Sequence, residues 1–204
     1  MGKIYLIDSG HGGMLNGAYQ TAPDKMFNFG NGTIAYEGVT NRIVKDYVLK
    51  YGVQSGLKLI DVCPSVLDIP LEPRADLINI LAKNYGANNC LLISLHSNAG
   101  KGTGFEIFTT KGETLSDKYA TLFFQRFKEK FPKIHLRTDY VTDNDSDKEA
   151  EFYIQRKTIC PSILLEWLFF DNWNDYQIIR NELEQMKYAK FIIDYCLEVN
   201  KLQI

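Results

Sequence analysis

The sequence predicts an α/β layered domain, and three observations lead to it. The short apolar runs Ile4–Ile7, Leu91–Leu95 and Ile163–Leu165 have the length and composition of buried strands. Between them, segments such as 36–51 and 115–131 repeat apolar residues at steps of three and four, the spacing of one helix face. With 204 residues, 45% of them apolar, the chain can build one sizeable core, and two domains would be crowded.

Taken in order, Lys3 to Asp8 is expected as a strand that runs into Ser9, Gly10, His11, Gly12 and Gly13. Glycines there allow a sharp turn and leave room for an ion or substrate. Met14 to Ala35 is rich in Gly, Asn, Thr and Ala, has no period, and is expected as a long loop. Val39, Ile43, Val44, Tyr47, Val48 and Tyr51 then mark an amphipathic helix from Tyr36 to Tyr51, with Glu37 in its first turn and a break at Gly52 to Gly56. Leu57 to Val62 is expected as a strand, Pro64 to Pro73 as a loop, and Arg74 to Tyr85 as a helix with Leu77, Ile78 and Leu81 on one face. Leu91 to His96 is the central strand. After Gly100, Gly102 and Gly104 comes a strand from Phe105 to Thr110, then a helix from Leu115 to Phe131 that stops before Pro132.

The polar stretch from 133 to 147 carries Asp139, Asp143, Asp145 and Asp147. It lacks the glycine and the closing glutamate of a calcium-binding EF-hand loop, so a solvated loop is expected. Ser162 to Leu165 is a buried strand ending in Glu166, and helical patterns at 176–183 and 186–200 close the chain.

Composition excludes several classes of function. The formal net charge is −2 and no Lys/Arg block occurs, so a nucleic-acid partner is not expected. No apolar run is long enough to span a bilayer, and no basic region followed by a long apolar stretch reads as an export signal. Cys63, Cys90, Cys160 and Cys196 are scattered through apolar segments and are expected as reduced, buried thiols rather than a thiolate metal cluster.

His11 and His96 each follow a strand. In an open α/β sheet the carboxyl ends of neighbouring strands converge on one crevice, so the two histidines suggest a shared metal site. Zinc is one candidate, and a catalytic zinc takes three protein ligands and keeps one position open. Glu37 is the chosen third donor, because it opens a helix where free amide groups favour a carboxylate. Three further residues are weaker substrate-binding candidates. Asn98 either meets a substrate amide or caps a turn, and Arg74 either anchors its helix through a buried salt bridge or touches substrate. Glu106 faces groove or solvent, or orients a ligand histidine. His135 is expected on an exposed loop.

The motifs Ile7-Asp8-Ser9-Gly10-His11-Gly12-Gly13, Glu37 at a helix start, Arg74 with Asn79, Ile93-Ser94-Leu95-His96-Ser97-Asn98-Ala99, Gly104-Phe105-Glu106-Ile107-Phe108 and Ile163-Leu164-Leu165-Glu166 occur in one order. In that order the chain resembles zinc-dependent N-acetylmuramoyl-L-alanine amidases of the Amidase_3 type over nearly its whole length. The resemblance implies a single three-layer domain across residues 1–204, with no separate wall-binding domain, and a twisted, mostly parallel (mixed) sheet of about six strands between helices. It also implies one zinc ion held by His11, Glu37 and His96, with Glu166 as the catalytic carboxylate. Peptidoglycan is the implied partner, cut at the amide between N-acetylmuramic acid and L-alanine by a monomer that does not insert in membranes. The implied setting is a phage or prophage endolysin that accumulates in the cytoplasm and acts at the wall, or an autolysin secreted with a signal since removed. A related zinc carboxypeptidase or endopeptidase, and a non-catalytic wall-binding module, are the alternatives. The chain departs from the family at Ser9, where proline is usual, and at Trp167 to Asp171, where the large Trp167 is expected to crowd the catalytic carboxylate and shape its pocket.

Overall fold

The computed structural model describes residues 2–140 and 145–202. Its first strand, β1 (Ile4–Ser9), is followed by two small hairpins, β2 (Met14–Leu15) with β3 (Ala18–Tyr19) and β4 (Met26–Asn28) with β5 (Ile34–Tyr36). Then come α1 (Glu37–Gln54), β6 (Lys58–Asp61), α2 (Leu71–Tyr85), β7 (Cys90–Asn98), β8 (Phe105–Thr109) and α3 (Leu115–Lys130). The order closes with β9 (Lys148–Glu149), α4 (Tyr153–Lys157), β10 (Ser162–Phe169), α5 (Trp173–Ile179) and α6 (Glu182–Leu202). Six strands form one sheet in the order β6-β1-β7-β10-β8-β9. Neighbours from β6 to β10 are parallel, whereas β8 runs antiparallel to β10, so the sheet is mixed as expected.

Alternation along the strands sorts the core into two layers. Tyr5, Ile7, Leu91, Ile93, Leu95, Ile163, Leu165 and Trp167 face α1, α3 and α6, where Val44, Val48, Phe123, Phe127, Tyr188 and Ile192 complete one cluster. Leu6, Leu92 and Leu164 face the other way onto Ala75, Ile78 and Ala82 of α2 and Ile154 of α4. Full burial of each large apolar side chain is worth about 1.5–3 kcal/mol, so the central strands and these helices hold the frame. The four cysteines are free and buried within it.

Several boundaries differ from the sequence-based expectation, each for a physical reason. Segment 14–35 is not a featureless loop but the two hairpins. Gly52 does not end α1: a Cβ there would lie 2.4 Å from Leu59 Cδ1, so the glycine lets helix and strand approach within the helix. Pro73 lies inside α2, which starts at Leu71, because a first-turn position needs no backbone N–H. Leu77 is exposed, and the buried face of α2 is Arg74, Ala75, Ile78 and Ala82. Ile43 is likewise exposed, while Thr40, Asn41, Arg42 and Lys45 are buried against the loops around the site. Asn172 accepts from the backbone N–H of Asn174 and Asp175 and so starts α5 earlier, at Trp173.

In the aspartate-rich stretch, Asp143 lies outside the described residues. Asp147 is buried rather than solvated, accepting from Thr109 Oγ1 at 2.7 Å. Burial pushes its carboxyl up to about 7. The strand ending expected at Glu166 is corrected too, since β10 continues through it to Phe169.

Candidate active site

Parallel pairing of β1 with β7 sets Ser9 beside Leu95, and Gly10 N–H donates to Leu95 O at 2.9 Å. A histidine follows close behind on each strand, so the register alone brings His11 and His96 together. Their rings meet edge to face, with centroids 5.1 Å apart. Gly10 has to be glycine: a Cβ would lie 2.1 Å from His96 Cε1, because the imidazole lies over the backbone. His11 itself has φ 67°, a left-handed conformation unusual for a residue with a side chain.

Glu37, the first residue of α1, is buried and inserts one oxygen between the rings. Its Oε1 is 3.1 Å from His96 Nδ1 and 3.4 Å from His11 Nε2. The same oxygen accepts from Ser97 N–H at 3.3 Å and from Asn41 Nδ2 at 3.4 Å. Burial pushes the Glu37 carboxyl up, but the hydrogen bonds and charges of His11 and His96 outweigh it and hold the group well below the usual carboxylate range. Burial acts on His96 in the opposite sense, and the Glu37 carboxylate more than compensates, so its pKa is raised.

These donors fit a metal ion. One nitrogen from each histidine and one Glu37 oxygen lie within 4.8 Å of one another. His11 Nε2 and Glu37 Oε2 are shielded from solvent and have only long contacts, His11 Nε2 to Glu37 Oε1 at 3.4 Å and Glu37 Oε2 to Lys25 Nζ at 3.9 Å. Buried polar atoms are rarely left so weakly paired, and two in one cluster of imidazole and carboxylate donors match the His and carboxylate ligand chemistry of zinc.

Glu166 lies beside this cluster, opposite His96 in the parallel β10–β7 register. It is outside the three-donor group, and its Oε2 is also shielded and unpartnered. Burial pushes its carboxyl up to about 8, against the opposing pull of His96 and with a further push from Glu37. After Glu166 the register shifts and Leu168 takes φ 64°, a bulge beyond which the strand pairs with β7 again at Phe169 and Asn98. The expectation that Trp167 shapes the pocket is corrected here. As the next residue on the strand it points to the opposite face and stacks on Tyr188, with ring centroids 4.4 Å apart.

The weaker candidates divide. Arg74 is buried, with Nη1 donating to Asp8 Oδ1 at 3.2 Å and Nε to Ile69 O at 2.9 Å. Asp8 Oδ2 in turn accepts from Ser94 Oγ at 2.6 Å, so Arg74 anchors β1 and β7 under the site rather than opening onto it. Asn98 donates through Nδ2 to Glu106 Oε2. Glu106 does not orient a ligand histidine; its other oxygen takes Arg137 Nε and Lys148 Nζ. At Ser9 the side-chain hydroxyl is buried with no partner among the described residues, and nothing in the structure explains the serine.

Sequence reasoning missed four residues around the centre. Arg42 Nη2 donates to His11 O at 2.6 Å and fixes the strained turn, and Asn41 follows Glu37 by one helical turn. That four-residue spacing was the available signal for Asn41. Arg137 and Lys148 lie in aperiodic sequence and gave none.

Residues 6–195 match the Amidase_3 family, described as N-acetylmuramoyl-L-alanine amidase. No curated protein matches the sequence. Among solved structures, the N-acetylmuramoyl-L-alanine amidase of Clostridium difficile 630 is similar with TM-score 0.75 and 23% identity, covering 97% of this chain and 96% of that one. AmiC2 of Nostoc punctiforme is similar with TM-score 0.72 and 21% identity over 99% of this chain and 98% of its own. The catalytic domain of the CD27L endolysin targeting Clostridia Difficile gives 0.65 and 22% over 96% and 97%. At these identities the structures speak for the fold, and the family match covers the strand-end histidines, the helix-start glutamate and the carboxylate beside them. The chain belongs to the Amidase_3 family of N-acetylmuramoyl-L-alanine amidases.

Proposed function

We propose that this chain hydrolyses the amide between N-acetylmuramic acid and L-alanine of peptidoglycan in a zinc-dependent reaction. In this reading His11, Glu37 and His96 hold the ion and Glu166 is the catalytic carboxylate. The observation that carries it is the cluster of one nitrogen from each of His11 and His96 with a Glu37 oxygen, within 4.8 Å of one another, beside the shielded Glu166 Oε2, which has no hydrogen-bond partner among the described residues. Bound zinc would polarise the scissile carbonyl and make a water nucleophilic near neutral pH.

The protein's own part is proton transfer and positioning. Glu166 takes the proton of the attacking water and delivers it to the nitrogen that leaves with L-alanine, and a pKa near working pH suits both steps. Arg74, Asp8 and Ser94 brace the two strands that carry the histidines. Asn41 and Ser97 N–H fix the Glu37 carboxylate. All four proposed site residues come from one chain, so a monomer suffices, and its place of action is the cell wall. No described helix is long and apolar enough to cross a membrane.

Metal removal tests the zinc dependence. Dialysis against a chelator is expected to abolish release of soluble peptidoglycan fragments, and added zinc to restore it. Undiminished release by the metal-free protein would overturn the zinc assignment.

A further inference from the structure

The face that carries Glu166 continues sideways across the sheet. Glu106 on β8 is paired directly with Glu166 on β10, and opposed residues of an antiparallel pair place their Cβ atoms about 5 Å apart on one face. Glu106 is buried and holds two cations on a single oxygen, Arg137 Nε at 2.5 Å and Lys148 Nζ at 2.6 Å. One carboxylate against two cations leaves a positive charge over. A purely structural role for Glu106 needs only one of them.

The surplus is presented outward. The Arg137 side chain is 36% exposed and that of Lys148 24%, against 5% for Glu106. The Arg137 guanidinium lies over the Phe169 ring, 5.2 Å from its centroid, which together with the Nε bond to Glu106 fixes its plane. No described residue accepts from its two terminal nitrogens, the pair that can grip a carboxylate in two parallel hydrogen bonds.

We propose that Arg137, supported by Lys148, is a specificity-determining residue that binds a carboxylate of the stem peptide on the leaving-group side of the scissile amide. This rests on the amidase reading of the same site. One strand spacing from Glu166 to Glu106, followed by the ion pair, puts the guanidinium roughly 8–10 Å from Glu166, a distance that two to three residues of extended peptide span. The glycan on the other side of the bond is neutral, whereas the stem peptide carries free carboxylates, so the cationic rim fits the peptide side.

Two soluble probes test this: N-acetylmuramoyl-L-alanyl-D-isoglutamate and the same molecule with its free α-carboxylate converted to the amide. The wild-type protein is expected to favour the acid by about tenfold in kcat/KM, the scale of one charge-assisted contact, with the difference in KM. Arg137→Met is expected to bring that ratio close to one by raising KM for the acid, and Arg137→Lys to recover part of it. Lys148→Met narrows the ratio while leaving the guanidinium in place, and so reads the subsite even if Arg137→Met folds poorly. A wild-type protein that cleaves both probes equally overturns the proposal, as does an Arg137→Met variant that loses kcat on both alike. A wild-type protein that cleaves neither overturns the amidase reading and this proposal with it.

Discussion

Glu166→Gln is expected to lower kcat by roughly 10³-fold while leaving the bound zinc in place, within the range that general acid–base catalysis supplies. The substitution keeps the shape of the side chain and removes the proton-accepting oxygen. Glu166 is not one of the three clustered donors, so the proposed ligand set stays intact. Its shielded Oε2 has no hydrogen bond to lose, and a neutral amide avoids the burial that disfavours the carboxylate charge. Steady-state release of fragments, with zinc per chain measured on the same preparation, checks both halves. Full activity in Glu166→Gln would remove this residue from the reaction.

His96→Ala is expected to lose both metal and turnover. It takes away one of the three proposed ligands, a larger change than the loss of a group that only orients a ligand, which itself typically weakens metal binding by about 10–100-fold. It also leaves the buried Glu37 oxygen without its 3.1 Å partner, costing about 1–3 kcal/mol in the metal-free protein. Thermal unfolding separates this variant from Glu166→Gln. Zinc that binds the folded state raises the unfolding temperature of the wild type and of Glu166→Gln. It is expected to leave that of His96→Ala unmoved, and a wild-type-sized shift in His96→Ala would contradict its place in the metal centre.

The parts of the site legible in the sequence were those fixed by local chemistry. A histidine between glycines after an apolar run, and a glutamate at a helix start, need only their own neighbours to be recognised. What was not legible depended on pairing. Glu166 read as the end of a strand because its apolar run stops there, yet β10 continues, and that continuation sends Trp167 into the opposite layer against Tyr188. Arg137 and Lys148 acquire meaning only through the antiparallel pairing of β8 with β10, which carries Glu106 to the side of Glu166. In α1 the apolar period was visible, but the burial of Arg42 and Lys45 was not, because their partners are the carbonyl of Cys63, the carbonyl of His11 and the carboxylate of Asp61. Asp147 is a further case: its sequence context is polar, and the Thr109 hydroxyl that accompanies its burial lies at the end of β8, 38 residues earlier in the chain.

The most direct test is the identity of the bond broken in purified sacculi, read by mass analysis of the released fragments together with end-group measurement. Zinc-dependent amidase action predicts free N-terminal L-alanine with no new reducing sugar ends. Fragments cut within the stem peptide, or sacculi that bind the protein and release nothing with zinc present, would contradict it.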